Sequence, residues 1–303
     1  MDILSADQFT KKQIDDILLS AVKMEAGLSR KKVPQALSGK VVACLFFEPS
    51  TRTRLSFETA VLRLGGNVID MENGSLSSSF VKGETVSDTI KIVSNYADLI
   101  VMRHPQDGAS DIAAKASSVP IINAGDGGNQ HPTQALLDLY TIKKEKGKLE
   151  NLNIAMVGDL LYGRTIHSTL TLLSQYKNNK FYFVAPKRLA LPKKYKDLLK
   201  KKNNEFVETE KLPDVLKTAD VIYVTRVQKE RFSSAAEYEK LKLAYVFGPK
   251  ELKQLKKDAV ILHALPRVGE IDPAVDADPR AAYFRQAKNG LYIRMALLQM
   301  LLS

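Results

Sequence analysis

The sequence is poor in the residues that build covalent or metal frameworks. Its single cysteine, Cys44, lies inside the apolar run "VVACLFF", which excludes disulfides and cysteine-based metal sites. Histidine occurs only at positions 104, 131, 167 and 263, with no metal-ligand spacing among them, so neither metal nor cofactor is expected. No uninterrupted apolar run approaches the ~20 residues of a membrane span, and no membrane partner is expected. The opening segment "MDILSADQFTKKQIDDILLSA" lacks the charged, apolar, small order of a secretion signal. It reads as a helix capped by Ser5 or Asp7, and the expected location is cytoplasmic.

What is present is the balance of a soluble globular chain. Of 303 residues, 45% are hydrophobic and 26% charged, and at about 150 residues per domain the length predicts two domains. The formal charge of +11 comes largely from lysines in "PKRLALPKKYKDLLKKKNN" (186–204) and "KELKQLKKD" (250–258). Both runs have helical spacing and no interleaved aromatic platform. They read as solvated outer helix faces, not as a nucleic-acid surface. A positive field of this size also draws in small dianions.

Short β-branched apolar runs alternate with longer amphipathic segments. The runs at 41–47, 66–70, 99–102, 119–122, 153–157, 180–184, 220–224 and 259–262 predict strands. Segments 52–64, 85–96, 109–117, 132–146, 164–175, 212–218 and 235–242 predict helices. Nearly continuous apolar strands separated by helices imply parallel sheets covered on both faces. The expected fold is α/β, two doubly wound parallel-sheet domains joined by helices. The first spans 1–131 and is completed by a C-terminal helix at about 287–303; the second spans 132–286.

Ligands of open parallel sheets bind beyond the carboxyl ends of the strands, and six strand exits here carry arginine, histidine or glutamine. The first is "FFEPSTRTRLSFETA" (46–60). Ser50 is placed to cap a helix beginning Thr51-Arg52-Thr53, whose unpaired N–H groups and positive dipole end suit an anion. An ordinary cap with solvent-facing arginines is the plain alternative. Two hydroxyls beyond the cap and two arginines at a strand exit favour a phosphate. The glycine and lysine spacing of a P-loop is missing, so nucleoside triphosphates are not expected. A dinucleotide turn at "MVGDLLYGRTIHST" is also disfavoured, because Asp159 stands where a glycine should admit pyrophosphate.

Taken together, "FFEPSTRTRLSFE", "VMRH", "NAGDGGNQHPTQALLDL", "VGDLLYGRTIHS", "TRVQKERF" and "HALPRVGEID" resemble, in order and over essentially the whole chain, the signatures of the aspartate carbamoyltransferase catalytic chains. The resemblance implies transfer of a carbamoyl group from carbamoyl phosphate to the α-amine of L-aspartate, an early step of pyrimidine synthesis. It implies a homotrimer with shared active sites, which a separate regulatory chain can join. By resemblance, Ser50, Thr51, Arg52 and Thr53 hold the phosphate, and Arg103 bridges phosphate and carbonyl oxygen. Arg103, His131 and Thr53 polarise that carbonyl, and Gln134 accepts from the carbamoyl NH2. Arg164, Arg226 and Gln228 bind aspartate, while Leu265 and Pro266 offer backbone carbonyls to the amine and the carbamoyl nitrogen, with a cis bond expected before Pro266. Ser78 and Lys82, from the polar loop "SLSSSFVKGET" (75–85), are implied to reach the neighbouring subunit's site, Lys82 touching both substrates. Domain closure is expected because the two anion sites sit in different halves.

The nearest rival is an ornithine carbamoyltransferase, which shares the phosphate segment and "HPTQ" but must bind a cationic side chain. Here "RVQ" and Ala264 stand where that enzyme carries "SMG" and a cysteine, and two extra arginines would repel ornithine. A non-catalytic nucleic-acid binder using the lysine runs is the alternative from another class.

Overall fold

The computed structural model describes residues 1–73, 79–232 and 234–303, with the backbone alone at Phe80 and Glu230. The chain divides into two compact units, Met1–Leu137 with Lys288–Ser303, and Asp138–Ala287. The division falls inside the helix Pro132–Lys146.

The first unit is built on four parallel strands: β1 (Val41–Phe46), β2 (Asn67–Glu72), β3 (Leu99–His104) and β4 (Ile121–Asp126), in the order β2-β1-β3-β4. β1 and β4 bury almost every side chain, as strands covered on both faces must. Ala43, Leu45, Phe47, Ile100, Met102 and Ile121 form the core of one face with Val86, Ile90, Ala109 and Ala113 of the flanking helices. Each large side chain buried there stabilises the unit by about 1.5–3 kcal/mol. The helices used below are α1 (Lys11–Ser29), α2 (Thr51–Arg63) and α3 (Val86–Val93).

The second unit carries five parallel strands: β5 (Asn153–Gly158), β6 (Lys180–Val184), β7 (Glu205–Thr209), β8 (Val221–Thr225) and β9 (Val260–Leu262), in the order β7-β6-β5-β8-β9. β7 is the strand the hydrophobic pattern missed. It is an edge strand with mostly exposed side chains, so its sequence "EFVET" carries none of the apolar continuity of a central strand. Gly158 closes β5 at φ +117°, and a Cβ there would meet the Thr225 carbonyl at 2.2 Å. Only glycine allows the β5 exit to run this close to β8.

Three local expectations are corrected. α1 is capped by Thr10, not Ser5 or Asp7, through a reciprocal box with Gln13. The look-alike Ser5-x-x-Gln8 is used otherwise: Gln8 Oε1 accepts from the Leu4 and Ser5 amides, folding a turn before the helix. α3 ends at Val93, short of 96. The second lysine run forms one helical turn, Pro249–Leu252, while the first forms the helix Lys193–Lys201, whose Lys193 and Lys196 pair with Asp197 and Glu208. Among the described residues no helix is long and apolar enough to cross a membrane.

Candidate active site

The strand orders fix where each unit can hold a ligand. In the first, the direction in which successive strands are added across the sheet reverses between β1 and β3; in the second, between β5 and β8. A doubly wound sheet opens a crevice at such a reversal, beyond the carboxyl ends of the two strands.

At the first reversal, β1 runs into Glu48-Pro49 and then α2. Ser50 holds the N-cap position, but its hydroxyl makes no capping bond, which corrects the expectation that its side chain closes the helix. The first-turn N–H groups thus receive no oxygen from Ser50 and remain suited to an anion. Ser50 is half-buried, Thr51 and Arg52 are exposed, and Thr53 is buried. Of the two arginines, only Arg52 is spare for a ligand. Arg54 is committed to Glu58, Asp70 and Glu72 at 3.0, 3.3 and 2.9 Å, tying α2 to β2. Arg103, at the end of β3, pairs with Glu48 at 2.6 Å.

His131 and Gln134 follow β4 at the start of the helix Pro132–Lys146, and both are buried. The loop that delivers them is organised by Asp126, which is 1% exposed. Its carboxylate accepts from Asn123 Nδ2, Gly108 N, Ser110 Oγ, Asn129 Nδ2 and Gln130 N at 2.9–3.2 Å. Five neutral donors on one buried carboxylate leave the turn little freedom. Sequence reading missed Asp126. The available signal was an acidic residue among three glycines directly after an apolar strand. Lys82 closes the short turn Ser79–Lys82 and is exposed; Ser78 lies outside the described residues.

At the second reversal, Arg164 is the first residue of the helix Arg164–Leu173, and Arg226 and Gln228 follow β8. All three are half-buried. Asp159 joins their loops: Oδ1 accepts from Tyr162 N at 2.9 Å and Oδ2 from Gln228 N at 3.2 Å, while Gln228 Nε2 donates to Tyr162 O at 2.7 Å. Burial pushes the Asp159 carboxyl above its ordinary range, against these donors and the Arg226 charge. Its place in the turn therefore has a positive use as well as barring pyrophosphate. His167 anchors the same loop, with Nε2 2.8 Å from the Leu160 carbonyl and its ring stacked on Tyr195 at 4.2 Å.

Leu265 and Pro266 follow β9, and the bond between them is cis. Arg267, the next residue, turns away. It holds Asp276 Oδ2 at 2.6 Å and lies over the Tyr283 and Phe284 rings, so it braces the loop and is not a spare cation. Each unit thus presents fixed positive charge and directed donors at its own reversal, an arrangement suited to a small anion in the first and to carboxylates in the second.

Comparison with known proteins agrees with this division of labour. Residues 1–144 match "Aspartate/ornithine carbamoyltransferase, carbamoyl-P binding domain" and residues 150–301 match its "Asp/Orn binding domain". The chain belongs to the aspartate/ornithine carbamoyltransferase family. An aspartate carbamoyltransferase catalytic subunit of Clostridium acetobutylicum is 50% identical over 296 residues, 97% of this chain and 95% of that one. The catalytic subunit of M. jannaschii aspartate transcarbamoylase superposes with a TM-score of 0.92 at 52% identity, covering 99% of this chain and 97% of that one. The Trypanosoma cruzi aspartate transcarbamoylase with carbamoyl phosphate and aspartate gives a TM-score of 0.95 at 39% identity, covering 100% of this chain and 97% of that one. The α/β fold with two parallel sheets is common to these carbamoyltransferases.

Proposed function

We propose that this carbamoyltransferase moves the carbamoyl group of carbamoyl phosphate to the α-amine of L-aspartate, releasing N-carbamoyl-L-aspartate and phosphate in de novo pyrimidine synthesis. The observation that carries the reading is the distribution of guanidinium groups. Arg52 and Arg103 stand at the first reversal, and Arg164 and Arg226 at the second. An acyl phosphate and a dicarboxylate need permanently charged, forked donors in just this division. Ornithine carries a cation where aspartate carries a carboxylate, and Arg226 opposes it.

In this reading Ser50, Thr51, Arg52 and Thr53 hold the phosphate against the start of α2. Arg103, His131 and Thr53 draw electron density toward the carbonyl oxygen, and Gln134 orients the carbamoyl NH2. Arg164, Arg226 and Gln228 fix the two aspartate carboxylates, leaving the neutral amine to attack the carbonyl carbon. The negative charge that develops on oxygen meets donors already in place. The tetrahedral intermediate then collapses, the C–O bond to phosphate breaks, and the departing phosphate takes the amine proton. No covalent enzyme intermediate is required; positioning and fixed charge together supply up to about 10 kcal/mol.

The working form is a cytoplasmic homotrimer in which Ser78 and Lys82 complete a neighbour's site, Lys82 meeting both substrates. The deciding experiment is a colorimetric carbamoyl-aspartate assay on purified protein with ornithine as the parallel acceptor. Product from aspartate alone is expected; product from ornithine alone would overturn the assignment.

A further inference from the structure

Strand β9 ends in a loop whose backbone is pinned by one imidazole. His263 is 3% exposed. Its Nδ1 lies 2.7 Å from the Leu265 amide nitrogen, and its Nε2 lies 2.7 Å from Glu270 Oε1. A backbone N–H can only donate, so Nδ1 must be the unprotonated nitrogen. The ring proton is therefore on Nε2 and points at Glu270, and the imidazole is neutral. The other Glu270 oxygen accepts from Val268 N at 2.8 Å. Burial alone would raise this carboxyl, but the His263 and Val268 donors outweigh it and hold Glu270 below its ordinary value. Glu270 is thus a carboxylate, the acceptor that fixes the tautomer.

The same segment is anchored behind the ring. His263 N donates to Gln286 Oε1 at 2.9 Å, and Gln286 Nε2 donates to Asp138 Oδ1 at 2.7 Å. Leu265, by contrast, has φ +56°, a left-handed conformation that a branched side chain seldom adopts without support from its surroundings. Its side chain packs against the core of the second unit, and its N–H is held by the bond to His263.

We propose that His263 is a positioning residue of the transferase: held by Glu270 as the Nε2–H tautomer, it uses Nδ1 to fix the Leu265 amide and so aims the Leu265 and Pro266 carbonyls at the reacting nitrogens. The proposal rests on the functional reading above and on the resemblance, by which the Leu265 and Pro266 carbonyls meet the amine and the carbamoyl nitrogen. It assigns a role to a histidine that touches neither substrate, and to an acid seven residues away.

The test uses two side chains that each keep one half of the imidazole. His263→Asn sets an acceptor near the Nδ1 position, and His263→Gln reaches toward the Nε2 position. H263N is expected to keep kcat within about 3-fold of wild type. H263Q is expected to lose about 10- to 100-fold in kcat with a smaller change in the aspartate KM, because a misaimed carbonyl costs orientation, not charge. Equal losses, or a larger loss in H263N, overturn the role. Melting temperatures accompany the kinetics, and nitrogen-15 NMR of the wild-type imidazoles reads the tautomer independently of any variant. A proton on Nδ1 of His263 would overturn the proposal even if both variants failed to fold. An active wild type with indifferent variants defeats this role alone, whereas a wild type that makes no carbamoyl-aspartate defeats the functional reading and this role with it.

Discussion

Arg103 grips one oxygen of Glu48 with two nitrogens, Nε at 2.7 Å and Nη2 at 2.6 Å. The two residues stand at the ends of neighbouring parallel strands, β1 and β3, on either side of the reversal in winding order, so the pair holds a guanidinium at the mouth of the crevice. A forked donor can keep Glu48 on one side and still offer N–H groups to a phosphate or carbonyl oxygen on the other. Arg103→Ala is therefore expected to lower turnover by about 10²–10³-fold, the usual cost of one oxyanion donor. Arg103→Lys should recover less than about a tenth of the lost rate, since an ammonium lacks the fork. Steady-state kinetics at saturating aspartate check both, and full recovery with lysine would contradict the bidentate role.

Arg226 sits two residues before Gln228, whose backbone and side chain are tied to Asp159 and to Tyr162. The loop is thus held independently of any ligand, and removing the guanidinium deletes charge without collapsing its support. Arg226→Ala is expected to raise the aspartate KM by about 10-fold or more, as loss of a charged hydrogen bond of roughly 1.5–3 kcal/mol requires. The carbamoyl phosphate KM should move less than about 3-fold. An unchanged aspartate KM would remove Arg226 from the acceptor site.

The central architecture was legible because central parallel strands are almost wholly apolar, and among the described residues every strand but β7 coincided with an expected run. β7 did not, since an exposed edge strand needs no apolar continuity, and the equally exposed edge strand β2 carries little of it. The strand-exit rule picked out Ser50, Arg103, His131, Arg164 and Arg226 from spacing alone, and the fold puts each of them at or just beyond the carboxyl end of a strand. It could not tell Arg52 from Arg54, because the carboxylates that claim Arg54 include Asp70 and Glu72 on another strand, and only folding reveals that pairing. Asp126 left only the faint mark of an acid among glycines, and the His263–Glu270 pair left none. Their roles lie in bonds to backbone N–H groups and to side chains brought close by folding, which leave no pattern in residue types.

His167 gives stability a definite pH dependence. Burial depresses its pKa from the ordinary 6.5 to about 4, because a charged imidazole would have to leave water. The unfolded chain takes up this proton near pH 6.5 and the folded chain only near 4. Between those values stability falls as the pH is lowered, by roughly 3 kcal/mol in total, and the contribution is complete above 6.5. Buried His104 is shifted in the same direction. Urea unfolding across pH 7 to 4 should therefore show a slope that His167→Gln reduces without abolishing. An unaltered slope in that variant would disprove the attribution.

Asp138 has no solvent exposure, yet its carboxylate accepts from Thr169 Oγ1, Tyr223 OH and Gln286 Nε2 at 2.8, 2.8 and 2.7 Å. These donors come from three separate elements of the second unit. Burial and the neighbouring Asp138 charge both raise the Tyr223 hydroxyl pKa well above its ordinary value, so the tyrosine stays a donor at every working pH. Asp138→Ala would strand three buried donors at about 1–3 kcal/mol each. A loss of at least about 3 kcal/mol in unfolding free energy is expected from urea titration. A loss below about 1 kcal/mol would mean that the three groups find other partners.

The proposal of a shared site makes a prediction that a self-sufficient chain cannot meet. Lys82 is exposed at the end of its turn, while Arg52 belongs to the start of α2. If Lys82 serves a neighbour, then Arg52→Ala and Lys82→Ala each disable every site of their own homotrimer by removing charge from the bound phosphate. In a mixed trimer, however, a site can draw its Arg52 from one chain and its Lys82 from another, and such a site is intact. Dissociating the two inactive variants, mixing them in equal amounts and reassembling them should restore up to about a quarter of wild-type activity, since each site draws its two residues independently from an equal pool. Reassembled mixtures no more active than the parents, with hybrid formation verified by native mass spectrometry, would show that each chain supplies its own lysine or none.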